Sequence, residues 1–450
     1  MYDPDTIAAV ATPPGPGGIG IVRASGPLCP ALAEAVFRRH RDEPWAPYRL
    51  YPGRVRDAAG AEIDSGLAVL MRAPHSATGE DVLELHCHGS PLVLERALAA
   101  LLAAGARPAR AGEFTQRAFL NGKLDLTQAE AVMALVSART ADGADCAALQ
   151  LFGGLSARLA AVREQLVRAR AHVEAQLDFG DEDLGLDARA LRADLDGARA
   201  EVAALLAGAA RGELLQRGLR VVLSGRPNAG KSSLLNAMVG ADRAIVSAEP
   251  GTTRDVIEAA VDLGGVPVTL VDTAGLRATD GTVERLGVVR AERAAAAADV
   301  VLLVLDTAAP FAEQAALVGR GPAIAVLNKC DLSPAWSDAE QAAVAAAHAC
   351  VRVCATAPTG LDALRQAILA DAGMQWGDNR PAPTTARQRE ALTRVADSLA
   401  AAAAALDAQL PAELVAVDLQ AALEHIGTVT GAVTNEDVLD AVFREFCIGK

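Results

Sequence analysis

Residues Gly225 to Ser232 read GRPNAGKS, behind the apolar run RVVLS and ahead of the helix-forming SLLNAMVG. Strand, glycine-rich loop and helix in that order form a phosphate cradle. Backbone N–H groups of the loop face a concavity that takes phosphate oxygens, and the helix dipole adds positive potential. The spacing gives Lys231 the β/γ-phosphates and the Ser232 hydroxyl a Mg²⁺ ion, with Asn228, Ala229, Gly230 and Ser233 lining the loop. VDTAG (271–275) ends a β-branched run. It places Asp272 in the Mg²⁺ shell and Gly275 near the γ-phosphate, with Thr273 and Ala274 between them. NKCD (328–331) ends another such run, with Asn328 and Lys329 leading to Asp331. A carboxylate there accepts from guanine N1–H and the 2-amino group. Adenine offers neither donor, so Asp331 selects GTP. GTTRD (251–255) supplies Thr253 as a switch threonine on Mg²⁺.

The residue after DTAG is Leu276. It has no polar atom to orient an attacking water, as a Ras-type glutamine does. Glu284 is the candidate replacement, with Arg277, Asp280 and Arg254 as rivals and a solvated helix-start carboxylate as the plain alternative. Asn228 either ligates a monovalent cation beside the phosphates or stabilises the turn.

These motifs need a parallel sheet, since ligands of open α/β sheets bind at the carboxyl ends of the strands. From Leu219 on, β-branched runs (Val221–Leu223, Val268–Val271, Val300–Leu305, Ala323–Leu327) alternate with helical stretches, which predicts that sheet. From Leu126 to Arg211, Leu and Val recur every three or four residues and predict long amphipathic helices. DFGDEDLGLD (178–187) is expected as a loop between two of them. Its DFG lacks the partner motifs of a kinase. WGDNRPAPTT (376–385) reads as a linker, and helix returns after it. Residues 1–120 carry short β-like runs (Ile7–Ala11, Ile19–Arg23, Leu67–Met71, Val82–His86) and two helical stretches, near Pro27–Arg41 and Pro91–Ala104. The expected organisation is a multidomain α/β protein with an N-terminal α+β domain (1–120), a helical domain in two parts (121–217 and 379–450) and an inserted G domain (218–378).

The 450 residues fit about three domains at roughly 150 residues each. With 51% hydrophobic and 22% charged residues the chain is not disordered. A formal charge of −14 argues against coating nucleic acid by bulk charge; the arginine-rich stretch Arg158–Arg170 is either a solvated or partner-facing surface, the plainer reading, or a local basic patch for nucleic acid. Seven cysteines without a C-x-x-C pair argue for reduced thiols rather than a disulfide framework or a zinc site. No leader of basic and then apolar residues opens the chain, and the longest apolar run is too short to span a bilayer. The expectation is a cytoplasmic protein without membrane insertion. Two lookalikes are set aside. Gly15 to Gly20 satisfies G-x-G-x-x-G but no helix follows, and His86 with His88 would share a strand face without a third ligand.

DTIAAVATPPG (5–15), GEDVLELHCHGS (79–90), GEFTQRAFLNGKLDLTQAEAV (112–132), the GTPase motifs and the final FCIGK (446–450) together resemble the MnmE (TrmE) family of tRNA-modification GTPases, from one end of the chain to the other. The resemblance implies an N-terminal tetrahydrofolate-binding fold that also forms a homodimer, and a Ras-like G domain inserted in a helical domain. It implies a flavoprotein partner, MnmG (GidA), in a heterotetramer or larger complex. That complex would add an aminomethyl or carboxymethylaminomethyl group to C5 of the tRNA wobble uridine, using 5,10-methylene-tetrahydrofolate. GTP hydrolysis would be stimulated by K⁺ and by docking of two G domains.

Carried onto matching positions, Asn228 and the backbone carbonyls of Ser247, Glu249 and Thr252 would hold K⁺, and Glu284 would orient the water. Cys354, Ala355 and Thr356 would border the guanine. Arg23, Glu80, Lys123 and Lys450 would contact folate, with Glu80 accepting from pterin N–H groups and the cations suiting the glutamate tail. Cys447 would be a reactive thiol or a small buried hydrophobe. Four positions depart from the family pattern: Pro16 for a frequent Arg, Glu249 and Pro250 for small residues, and Cys354 for Ser. The alternative reading is a non-enzymatic GTPase switch in ribosome assembly. An ATP-dependent kinase is disfavoured by Asp331.

Overall fold

The computed structural model describes residues 5–178, 188–241, 243–244, 257–272, 296–319, 321, 323–357, 359–374, 381–444 and 446–450. These fall into two compact units, 1–133 with 423–450, and 134–422.

The first unit is built on a seven-stranded sheet. Its strands are β1 (Ile7–Val10), β2 (Gly17–Ser25), β3 (Phe37–Arg39), β4 (Tyr51–Arg56), β5 (Glu62–Met71), β6 (Val82–Gly89) and β7 (Arg107–Pro108), in the order β3-β4-β5-β6-β2-β1-β7. Side chains alternate across the strands. Ala8, Val22, Ala24, Leu83 and Leu85 join the helices Cys29–Val36 and Pro91–Ala103 in one core, whereas Ile7 and Ala9 pack with Ala109 and Phe114. The helix expected near 27–41 stops at Val36. Phe37 turns extended and pairs with Val55, so β3 and β4 form an edge that the sequence reading lacked. Phe37 and Tyr51 are buried there, and burial against a partner strand outweighs local helix preference. The chain end returns to this unit. Helix Glu436–Arg444 packs Leu439 and Phe443 with Leu126 and Phe446, and Ile448 bridges to Ala111. Residues 423–450, grouped by sequence with the second helical part, therefore fold with the first unit.

The second unit holds the long helices and the second sheet. Leu155, Leu159, Val162, Leu166, Ala169 and Val173 form a buried stripe on helix Gly154–Asp178. Leu191, Leu195, Ala198, Val202, Leu205 and Ala209 do so on helix Ala188–Arg217. Three- and four-residue spacing keeps each stripe on one face, so these helices pack together. Helix Ala386–Asp407 joins them from beyond the sheet. Its flank is locked by a buried network: Thr384 Oγ1 donates to Gln150 Oε1 (2.9 Å), and Gln150 Nε2 donates to Gln388 Oε1 (3.2 Å).

Gly218 alone separates helix Ala188–Arg217 from β8 (Leu219–Ser224). Its φ of +78° suits glycine, and a Cβ there would lie 2.5 Å from the Pro267 carbonyl oxygen. The sheet continues with β9 (Arg243–Ala244), β10 (Ile257–Leu263), β11 (Val266–Asp272), β12 (Val300–Asp306), β13 (Ile324–Asn328) and β14 (Ala349–Arg352), in the order β14-β13-β12-β8-β11-β10-β9. The five strands from β14 to β11 run parallel, and β10 and β9 are antiparallel additions. Three of the four expected β-branched runs fall inside β8, β11 and β12, and the fourth, Ala323–Leu327, starts one residue ahead of β13. The charged or mixed β9, β10 and β14 were not foreseen. All seven cysteines are unbridged, and no described helix is long and apolar enough to cross a membrane.

Candidate functional site

The carboxyl ends of β8, β11, β12 and β13 meet at the glycine-rich loop. Leu223 is opposite Asp272 and Asp306 is opposite Asn328. Asn228 holds the left-handed conformation at φ +64°. Gly230 (φ +94°) lies so close to β13 that a Cβ would collide with the Asn328 amide nitrogen. Asn328, buried, crosses the site. Its Nδ2 donates to Ala229 O (2.9 Å), and its Oδ1 accepts from Ala355 N–H (3.2 Å). One side chain thereby spaces the phosphate loop from the loop at 354–356.

Lys231 opens helix Lys231–Ala241, and its side chain runs back along the loop. Nζ donates to the carbonyls of Gly225 (3.1 Å) and Arg226 (2.8 Å). Its charge is thus held against the concave side of the loop. Ser232 Oγ donates to Asp272 Oδ2 (2.6 Å), and Asp272 is fully buried. A hydroxyl and a carboxylate at this spacing are the hard oxygen donors that Mg²⁺ takes. Ser233 is exposed on the next helical position.

On the far side, Cys354 Sγ donates to Asp331 Oδ1 (3.1 Å) and contacts Thr356 Oγ1 (3.2 Å). The thiol is buried and the carboxylate exposed, so one carboxylate oxygen is held while the other faces outward. Lys329, also left-handed, donates through Nζ to Asp306 Oδ2 (2.6 Å). Asp306 was not read from the sequence; its position at the end of an apolar strand next to NKCD was the available signal. Ser247, Glu249, Thr252, Thr253, Thr273, Ala274, Gly275 and Glu284 lie outside the described residues, as do Pro250, Arg254, Leu276, Arg277 and Asp280. Of the potassium set only Asn228 is described. It is exposed on the loop.

In the first unit none of the four candidate folate residues lies on helix Glu113–Leu120, but each contacts a residue of it. Phe114 N–H donates to the Lys450 carbonyl (3.2 Å), and the Arg23 guanidinium lies 5.8 Å from the centre of the Phe114 ring. Lys123 follows the helix, its N–H bonded to Ala118 O (2.8 Å) and its Nζ donating to Pro74 O (3.2 Å). Glu80 is reached from this helix by Arg117, whose Nη1 donates to Oε2 (3.0 Å). Arg23 also donates through Nε to Glu84 Oε1 (2.8 Å), and Glu84 Oε2 contacts His86 Nε2 (3.1 Å). His88 is held by Asp64 instead (2.8 Å). Among the described residues no group of three or more His, Cys, Asp or Glu could hold a metal.

Cations and carboxylates of this unit alternate. Burial raises the Glu80 carboxyl above the usual range against the lowering effect of Arg117. Burial also works against the charged form of Glu113, but hydrogen bonds from Arg107, the Arg110 N–H and Arg117 outweigh it and hold that carboxyl at about 2. Cys447, the candidate thiol, is exposed, and its carbonyl accepts from Gly112 N–H (3.3 Å). Burial pushes the thiols of Cys29 and Cys87 up to about 12, so both stay protonated. A pterin needs a carboxylate for its N–H groups and cations for its acidic tail, and this face carries both.

Comparison with known proteins adds an independent line. Residues 126–447 match the family described as MnmE helical domain, and residues 6–123 match that described as GTP-binding protein TrmE N-terminus. The chain is 46% identical over 455 residues to the tRNA modification GTPase MnmE of Symbiobacterium thermophilum, with 99% of each chain covered. It is 46% identical over 464 residues to the same protein of a Roseiflexus species, with 100% of each covered. A Synechococcus relative of that name is 44% identical over 458 residues.

Proposed function

The chain belongs to the MnmE family of tRNA modification GTPases, and from that premise we propose that it is a potassium-stimulated GTPase that drives a folate-dependent one-carbon reaction on tRNA. Working as a cytoplasmic homodimer with an MnmG-type flavoprotein, it adds an aminomethyl or carboxymethylaminomethyl group to C5 of the wobble uridine. Methylene-tetrahydrofolate supplies the carbon, and the partner holds the flavin.

In this reading residues 1–133 with 423–450 bind folate and form the dimer, 218–378 cleave GTP, and 134–217 with 379–422 form the helical part around the G domain. Lys231 and the loop amides bind the phosphates, and Asp331 reads guanine. Ser232, Thr253 and Asp272 hold Mg²⁺, which neutralises charge on the β- and γ-oxygens. Asn228, with the carbonyls of Ser247, Glu249 and Thr252, holds K⁺. Glu284 orients the water, and Cys447 serves as a thiol at the folate side. The observation that supports the reading most is that helix Glu113–Leu120 meets Arg23 and Glu80 through their side chains and Lys123 and Lys450 through their backbone. A simple GTP-gated switch has no use for that arrangement.

Deleting the gene should remove the modified wobble nucleosides from bulk tRNA, read by nucleoside mass spectrometry, and the wild-type chain should restore them. Intact modification in the deletion strain would turn the assignment to the ribosome-assembly switch. The alkali-ion role has a separate check. GTP turnover by the purified chain should be at least about tenfold faster in K⁺ than in Na⁺, because a cage of carbonyl oxygens spaced for the larger ion retains its charge at the phosphates only when K⁺ fills it. Equal rates in both salts would remove Asn228 from that role.

A further inference from the structure

Glu80 is held from both ends. Its N–H donates to Thr78 Oγ1 (3.3 Å), Thr78 Oγ1 and Ser25 Oγ share a hydrogen bond (2.7 Å), and Ser25 Oγ donates to Glu80 Oε2 (2.7 Å). Ser25 and Thr78 are buried, so the ring is closed to water. The same Oε2 accepts from Arg117 Nη1 at 3.0 Å, and Oε1 accepts from it at a longer 3.4 Å as its one hydrogen bond among the described residues. The carboxylate is therefore asymmetric, with Oε2 saturated and Oε1 retaining acceptor capacity. Arg117 is 1% exposed. It also donates to Asp5 O (2.8 Å), Asp5 Oδ1 (2.5 Å), Glu113 Oε1 (3.2 Å) and Ser25 O (3.4 Å). Arg107 closes the cluster by pairing with both Asp5 and Glu113.

We propose that Arg117, with Ser25, is the positioning pair for the pterin-reading carboxylate. They fix Glu80 Oε2 so that Oε1 is presented, ionised, to the N–H donors of a reduced pterin. The inference rests on the folate reading and adds residues that touch Glu80 rather than ligand. A planar guanidinium suits the task because it reaches three carboxylates from three chain segments at once, which a lysine ammonium does not. The charged groups around Glu80 are Arg117 and Glu113 from helix Glu113–Leu120, Asp5 ahead of β1, Arg107 of β7, and its neighbour Asp81, which pairs with Arg72. Of these, Arg117 lowers the Glu80 pKa and Glu113 raises it. Loss of Arg117 leaves burial and Glu113 unopposed, so the carboxyl protonates at higher pH. Affinity that needs the ionised form then fails at higher pH.

The test is calorimetric titration of the full-length chain with 5-formyl-tetrahydrofolate between pH 5.5 and 8. It is run for wild type, Glu80→Gln, Arg117→Gln, Arg117→Lys and Ser25→Ala, with GTP affinity as the measure of an intact second unit. Arg117→Gln should weaken folate at least about tenfold at pH 7.5, the effect of one charge-assisted bond. It should also move the acid limb of binding upward, and Arg117→Lys should reverse the movement in part. Ser25→Ala, a small change at the same oxygen, should weaken binding about threefold and move the limb the same way. It carries the decision if Arg117→Gln fails to fold. An acid limb unmoved in Ser25→Ala and in whichever Arg117 variants fold overturns the inference while leaving the folate reading intact. Wild-type folate affinity in Glu80→Gln overturns the Glu80 assignment itself.

Discussion

Replacing Lys231 by alanine is expected to lower GTP affinity by more than about 100-fold and to abolish turnover. The ammonium is buried and donates to two loop carbonyls at 2.8 and 3.1 Å, neutral acceptors that bind a cation more weakly than phosphate oxygens do. Against β- and γ-phosphate oxygens the same group makes charge-assisted bonds of roughly 1.5–3 kcal/mol each. Two of them give about 3–6 kcal/mol, or a factor of about 10² to 10⁴. Alanine also leaves the carbonyls of Gly225 and Arg226 pointing into the phosphate position without a cation to offset them. Fluorescent-nucleotide titration measures the loss, and circular dichroism checks that the helices survive. GTP binding within threefold of wild type would mean that the phosphates lie elsewhere.

The second large effect is an exchange of nucleotides. Asp331→Asn should weaken GTP by roughly 10- to 100-fold, the loss of one charge-assisted bond together with a donor facing a donor. Xanthosine triphosphate should gain by a similar factor, because its C2 carbonyl accepts where guanine donates. The geometry directs the amide. Cys354 Sγ donates to Oδ1 of residue 331 at 3.1 Å, so the oxygen of Asn is held by the thiol and its NH₂ takes the outward position. Competition between the two nucleotides, measured for wild type and variant, decides the point. Unchanged preference in Asp331→Asn would remove Asp331 as the reader of the base.

Why the phosphate loop was legible and the Glu80 frame was not is a matter of sequence distance. GRPNAGKS puts a turn, a cation and a hydroxyl within eight residues, and the strand and helix around it are fixed by local pattern. Arg117 meets Asp5 across 112 residues and Glu80 across 37. Neither separation has a period, and a buried arginine in FTQRAF looks like one more polar helical residue. Strands showed the same divide. The apolar β12, fully inside its sheet, was read from VVLLVL, whereas β4, YPGRVR, carries Pro and Gly and owes its extension to pairing with β3 and β5. The helices near 154–217 were plain because their buried stripes repeat at three and four residues for several turns.

The single-residue splice at Gly218 sets the mechanical character of the second unit. Six residues of β8, about 20 Å of nearly inextensible strand, run from that splice to the phosphate loop. Arg217, on the helix side, is anchored by Asp299 through its side chain and by Arg139 through its carbonyl. A tug on the loop therefore has no slack to take up. The thirty-residue helix and the strand that ends at the phosphate loop are thus one continuous strut, with Gly218 the single residue between them.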